Sequence, residues 1–197
     1  MKLLAPDLTF DDPMMLCSLL SLGCAFGFSP PQETATLTAL RALRIAQRRL
    51  RPEVRTKLLS VSSPKTNSSL EPDAWRFVFF DPGTSGKSRA VTVAARTSSE
   101  HPDTVEAFSG LKGEGTAGLH VMSQAKWTVD SDAALQKVRG EFKCKHVVSA
   151  QYRLQRSGSG KDAFWLIEFF GDKDEVLVRF RIDAKSAELR QLHEGDE

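Results

Sequence analysis

The sequence predicts an α+β fold made of two repeated α-β-β-β units, each a helix packed on a three-stranded antiparallel sheet. Three observations carry this expectation. The chain matches itself at a spacing of about ninety residues, a helical pattern opens each copy, and three strand-like runs separated by turn residues follow each helix.

The self-match has three blocks. Trp75-Arg76-Phe77-Val78-Phe79-Phe80-Asp81 aligns with Trp165-Leu166-Ile167-Glu168-Phe169-Phe170-Gly171. Upstream, Leu59-Ser60-Val61 faces Val148-Ser149-Ala150, and downstream Val91-Thr92-Val93-Ala94 faces Phe180-Arg181-Ile182-Asp183, both at a spacing of 89.

In the first unit, residues 31–97, Leu37, Leu40, Leu43, Ala46 and Leu50 recur at helical spacing, with Arg41, Arg44, Arg48 and Arg51 on another face; Pro52 ends the run. Its strands are expected at Leu58–Ser62, Trp75–Phe80 and Arg89–Ala95, with loops at Pro64–Pro72 and Asp81–Lys87. In the second unit, residues 123–192, Asp130 or Ser131 caps a helix with apolar positions Ala134, Leu135, Val138 and Phe142. Val147–Leu154 alternates in part, and Phe164–Phe170 is nearly all apolar, as a central strand would be. Val176–Ile182 alternates with Arg179 and Arg181 outward. Ser157-Gly158-Ser159-Gly160 and Gly171-Asp172-Lys173-Asp174 are turn chemistry. Residues 98–122 read as a linker or long loop, anchored by Phe108 and Leu111, with a tail strand around Leu119–Met122; residues 193–197 are an acidic tail.

Met14–Phe28 is an uncharged run of fifteen residues, short of the roughly 18 to 20 that a spanning helix needs. Its length and small-residue ending suit a signal-peptide core. Residues 1–30 are therefore expected to be a signal or lipoprotein segment, and the chain to be exported to the periplasm or cell envelope, or secreted. The flank carries Asp7, Asp11 and Asp12, which translation from Met14 or Met15 would remove; the competing reading is a buried N-terminal helix. Ser21-Leu22-Gly23-Cys24 resembles a lipobox, with Ser21 where that motif has an aliphatic residue. Cys24 is the candidate lipidation site and would anchor the chain to a membrane.

The second unit resembles a PepSY domain. The residues that carry the resemblance are Asp132-Ala133-Ala134-Leu135-Gln136-Lys137-Val138, Val147-Val148-Ser149-Ala150, Trp165-Leu166-Ile167-Glu168-Phe169 and the closing Val178-Arg179-Phe180-Arg181-Ile182-Asp183-Ala184-Lys185-Ser186-Ala187-Glu188. Ser186 and Ala187 replace the family's usual Thr-Gly, and the first unit has Ala94-Ala95 where the closing Asp would stand. The resemblance implies tandem cystatin-like modules that are exported, non-enzymatic and associated with peptidase propeptides and peptidase regulation. It implies no catalytic residues.

The residues themselves point the same way. Three cysteines make no disulfide framework, and His101, His120, His146 and His193 lack the spacing of a structural zinc site. Gly86-Lys87-Ser88 has the tail of a P-loop, but Asp81 stands where the required glycine belongs and a strand, not a helix, is expected next. Cys144, between Lys143 and Lys145, has only His146 as a neighbouring base. No cofactor or metal is expected. Seven Arg or Lys lie between Arg41 and Lys57 against Glu53 alone, yet that stretch lacks the aromatics that stack bases, so nucleic acid is not the expected partner.

Two functions remain. One is an exported protein-binding module that regulates or inhibits a peptidase; the other is a structural or accessory envelope protein that scaffolds an assembly. Binding is expected at the second unit, around Lys173, Asp174, Glu175 and Val176 and the strand to Ile182, through a sheet edge and its end loops.

Overall fold

Apolar residues at helical spacing and alternating strands both need a shared interior, and here they share one. The computed structural model describes residues 36–96, 104–110, 119–141, 146–156 and 162–192, with backbone alone for Arg96 and 104–110. Cys24, Cys144, the segment expected as an export signal and the acidic tail lie outside the described residues.

The chain is α+β. Helix α1 (Ala39–Arg48) is capped by Thr38, whose hydroxyl accepts from Arg41 N–H, and it buries Ala39, Ala42, Leu43 and Ala46. The first helix ends before Pro52, as expected, and Pro52 then opens a one-turn helix, α2 (Pro52–Arg55); proline's fixed φ and missing N–H suit a first helical turn. Strands β1 (Leu58–Ser62), β2 (Ala74–Phe80), β3 (Ser88–Arg96) and β4 (Thr104–Gly110) follow. After a 3₁₀ turn at Gln124–Lys126 come α3 (Ser131–Glu141) and strands β5 (Ser149–Arg156), β6 (Ala163–Phe170), β7 (Val176–Asp183) and β8 (Leu189–Leu192).

The expectation of two three-stranded sheets is corrected. All eight strands form one antiparallel sheet in the order β4-β3-β2-β1-β5-β6-β7-β8. Separate units would each leave the first strand as an exposed edge of unpaired amides. Here β1 and β5 pair with each other, Val61 opposite Leu154 and Ser62 opposite Arg153. Past β1 the seam continues through side chains: Ser63 and Thr66 N–H donate to the carbonyls of Tyr152 and Ala150, while their hydroxyls accept from the same two residues' N–H groups.

Each half also carries a fourth strand. Strand β4 lies inside the stretch expected as linker, paired along β3 from Ala90–Gly110 to Arg96–Thr104. Conversely, Leu119–Met122 forms no strand, although Met122 N–H reaches the Leu58 carbonyl. Strand β8 is reached by a tight turn in which the Asp183 carboxylate accepts from Lys185 N–H, Ser186 N–H and Ser186 Oγ–H.

A single core runs through both halves on one face of the sheet. It joins the buried residues of α1, α2 and α3 to Trp75, Phe77, Phe79, Tyr152, Trp165, Ile167 and Phe169. A small second cluster, Leu59, Val78 and Ala90 with Phe80 and Leu119 against it, sits on the opposite face of the first half.

Candidate functional site

All three α-helices put their buried residues into the main core, so among the described residues no helix covers the other face of the sheet. Strand alternation decides which side chains occupy that face. Arg76 lies between the core residues Trp75 and Phe77, Arg153 between Tyr152 and Leu154, Leu166 between Trp165 and Ile167, and Arg181 between Phe180 and Ile182.

The register then aligns them. Cross-strand partners run in one line from β2 to β8: Arg76, Ser62, Arg153, Leu166, Arg181, Arg190. With strands about 4.8 Å apart, the row spans roughly 24 Å. Arg153, Arg181 and Arg190 are exposed and Arg76 is partly so.

Three of the row's arginines have neighbours at their guanidinium groups. Glu168, only 8% exposed, accepts from Arg179 Nε at 2.8 Å and lies 3.9 Å from Arg153. Arg181 stacks over Phe164, 4.0 Å from the ring centre, while Arg190 donates to Glu188 Oε1 from Nε at 3.3 Å and Nη2 at 3.0 Å. Arg181 and Arg190 are direct cross-strand neighbours, a like-charge placement that the Glu188 carboxylate on Arg190 offsets. Between them lies an open cleft of about 150 Å³ lined by Phe164, Arg181, Asp183, Glu188 and Arg190. Hydrogen bonds from Ser186 hold the Asp183 carboxyl below its ordinary value against the opposing effect of burial, with Lys185 adding a second N–H and its charge. It therefore stays ionised as part of the turn.

The face offers planar donors that hold carboxylates or phosphates by paired hydrogen bonds. Among the described residues no group of three or more His, Cys, Asp or Glu is placed to hold a metal ion. Gly86-Lys87-Ser88 passes from a hairpin turn, with Lys87 at φ 51°, directly into β3.

Lys173, Asp174 and Glu175 lie in the exposed β6–β7 turn, and Val176 opens β7. Gly171 N–H donates to the Glu175 carbonyl, Glu175 Oε2 accepts from Lys173 N–H, and Asp174, at φ 70°, pairs with Lys65. Val176 and Leu177 are exposed, at 40% and 37%. Strand β7 is not a sheet edge along its whole length, because β8 pairs with it from Arg179 to Ile182.

The α1 arginines have a different setting. Arg41, Arg44 and Arg48 face solvent, whereas Arg51 donates from Nη2 to Asp81 Oδ1 at 2.9 Å, and Arg89 Nε donates to Asp81 Oδ2 at 2.9 Å. Burial pushes the Asp81 carboxyl up, but the Arg89 hydrogen bond, the Gly83 N–H and the charges of Arg51 and Arg89 outweigh it and hold it below its ordinary value. This cluster ties α2 to the β2–β3 hairpin.

The row was absent from the sequence reading because its members are scattered along the chain. The available signal was an arginine flanked by two large apolar residues in each of three strands. No protein-family model, curated protein or solved structure matches the chain.

Proposed function

We propose that the chain is a non-enzymatic, exported binding module of two PepSY-like halves joined edge to edge in one sheet, which binds a peptidase or another envelope protein reversibly. The observation that carries the reading is the sheet face, covered by no helix among the described residues, with its ordered arginine row ending in an open cleft. Its planar guanidinium donors support a partner-binding reading. The sheet order, mirrored about the β1–β5 seam, supports the two-unit reading, and the lipobox-like Ser21–Cys24 supports anchoring through Cys24.

The test is cross-linking of the full chain in an envelope extract, followed by activity assays on any peptidase captured. A peptidase whose activity falls on addition of the chain and returns on dilution is the expected result. Capture of structural envelope proteins without a peptidase would replace regulation by scaffolding, and inhibition that survives dilution would overturn the non-covalent reading.

A further inference from the structure

The arginine row also limits what kind of partner fits. Arg76 and Arg153 are two strands apart, and so are Arg153 and Arg181, so each pair is separated by about 9.6 Å. That is close to the rise of three residues in an extended polyproline-type chain, which presents every third side chain on one face. Between the arginines lie Ser62 and the half-buried Leu166, a small polar position and an apolar one.

Two anionic macromolecules could use such a row, and the aromatic rings distinguish them. Single-stranded nucleic acid binds sheet faces by stacking bases on open rings. Here Lys57 lies 5.7 Å from the centre of the Phe80 ring, Lys65 4.3 Å from that of Phe170 and Arg181 4.0 Å from that of Phe164. Cations occupy the ring faces. Glu168, Asp183 and Glu188 also punctuate the positive charge, which disfavours a continuous phosphate backbone and suits discrete, spaced carboxylates.

We propose that the row Arg76–Arg153–Arg181–Arg190 docks an acidic, extended protein segment with a carboxylate at about every third residue. This rests on the protein-binding reading above and names the partner's chemistry. Leu166 would take an apolar side chain between charged contacts.

The test uses the purified full chain and a fluorescein-labelled decapeptide with Glu at every third position, followed by fluorescence anisotropy at low salt. Wild type is expected to bind, with weakening on added salt. Arg153→Gln with Arg181→Gln should weaken binding about tenfold or more, whereas Arg44→Gln with Arg48→Gln on α1 should change it less than about twofold. Equal losses in the two variants would show attraction by bulk charge and overturn the proposal, as would no binding by wild type. Tighter binding of a ten-nucleotide oligo-dT with the same arginine dependence would overturn it in favour of nucleic acid. If the glutamine variant does not fold, Arg153→Lys with Arg181→Lys keeps the charge and removes the planar fork; it should still weaken binding, and an unchanged affinity overturns the row. No peptidase enters this assay, so its outcome is separable from that of the cross-linking experiment.

Discussion

Trp75 and Trp165 meet at the centre of the core, ring centres 5.9 Å apart and planes at 66°, and each donates its indole N–H to the carbonyl two residues ahead of a helix. Trp75 reaches Leu37 before α1 at 2.7 Å, and Trp165 reaches Val129 before α3 at 2.8 Å. Each tryptophan thus fixes where a helix enters, and their edge-to-face contact couples the two halves across the seam.

The two indole bonds are not equivalent. Val129 also accepts from the Trp127 indole at 2.8 Å, so Trp165→Phe leaves that carbonyl a partner. Trp75→Phe removes the indole donor that Leu37 uses, and should cost about 2 kcal/mol, more than Trp165→Phe. Urea denaturation of both variants checks the order.

The helix entrances also share a cap. Asp130 Oδ1 accepts from Ser131 N–H of α3 at 2.7 Å and from Leu40 N–H of α1 at 3.0 Å, while Ser131 Oγ accepts from Ala39 N–H at 3.0 Å. One carboxylate serves two positive helix ends. Asp130→Ala should cost about 1–2 kcal/mol, and hydrogen exchange should quicken at the first turns of both helices rather than of α3 alone.

Asp81 makes the fold sensitive to acid. Its carboxyl is held below the ordinary value of 3.8, so its ionised form favours the folded state. That contribution is complete above the ordinary value and is lost as pH falls through the lower folded value. Asp81→Asn should destabilise the chain by about 2 kcal/mol at neutral pH. It should also flatten the loss of stability below about pH 4, measured as melting temperature against pH.

Phe169, 1% exposed and 6.1 Å from Phe180 between ring centres, is a core residue of β6. Phe169→Ala should cost about 3–5 kcal/mol, whereas Arg48→Ala on the exposed face of α1 should stay within about 0.5 kcal/mol. Chemical denaturation giving equal effects would contradict the face assignments.

Periodicity in the sequence by itself determined the α+β class, the two main helices and six of the strands. These depend on local alternation and helical spacing, which neighbouring residues express directly. The β4 strand was not legible, because Thr104–Gly110 lies within a longer polar, glycine-rich stretch and its strand state comes from pairing with β3. The β1–β5 seam was not legible either: it joins residues about ninety positions apart through backbone groups that every residue carries. The candidate site follows from that seam. The outward direction of Arg76, Arg153 and Arg181 could be read from their apolar neighbours, but their placement in one row with Arg190 depends on which residues face each other across strands, and a shift of one residue at any pairing would send them to opposite faces. Only the tertiary structure decided that register.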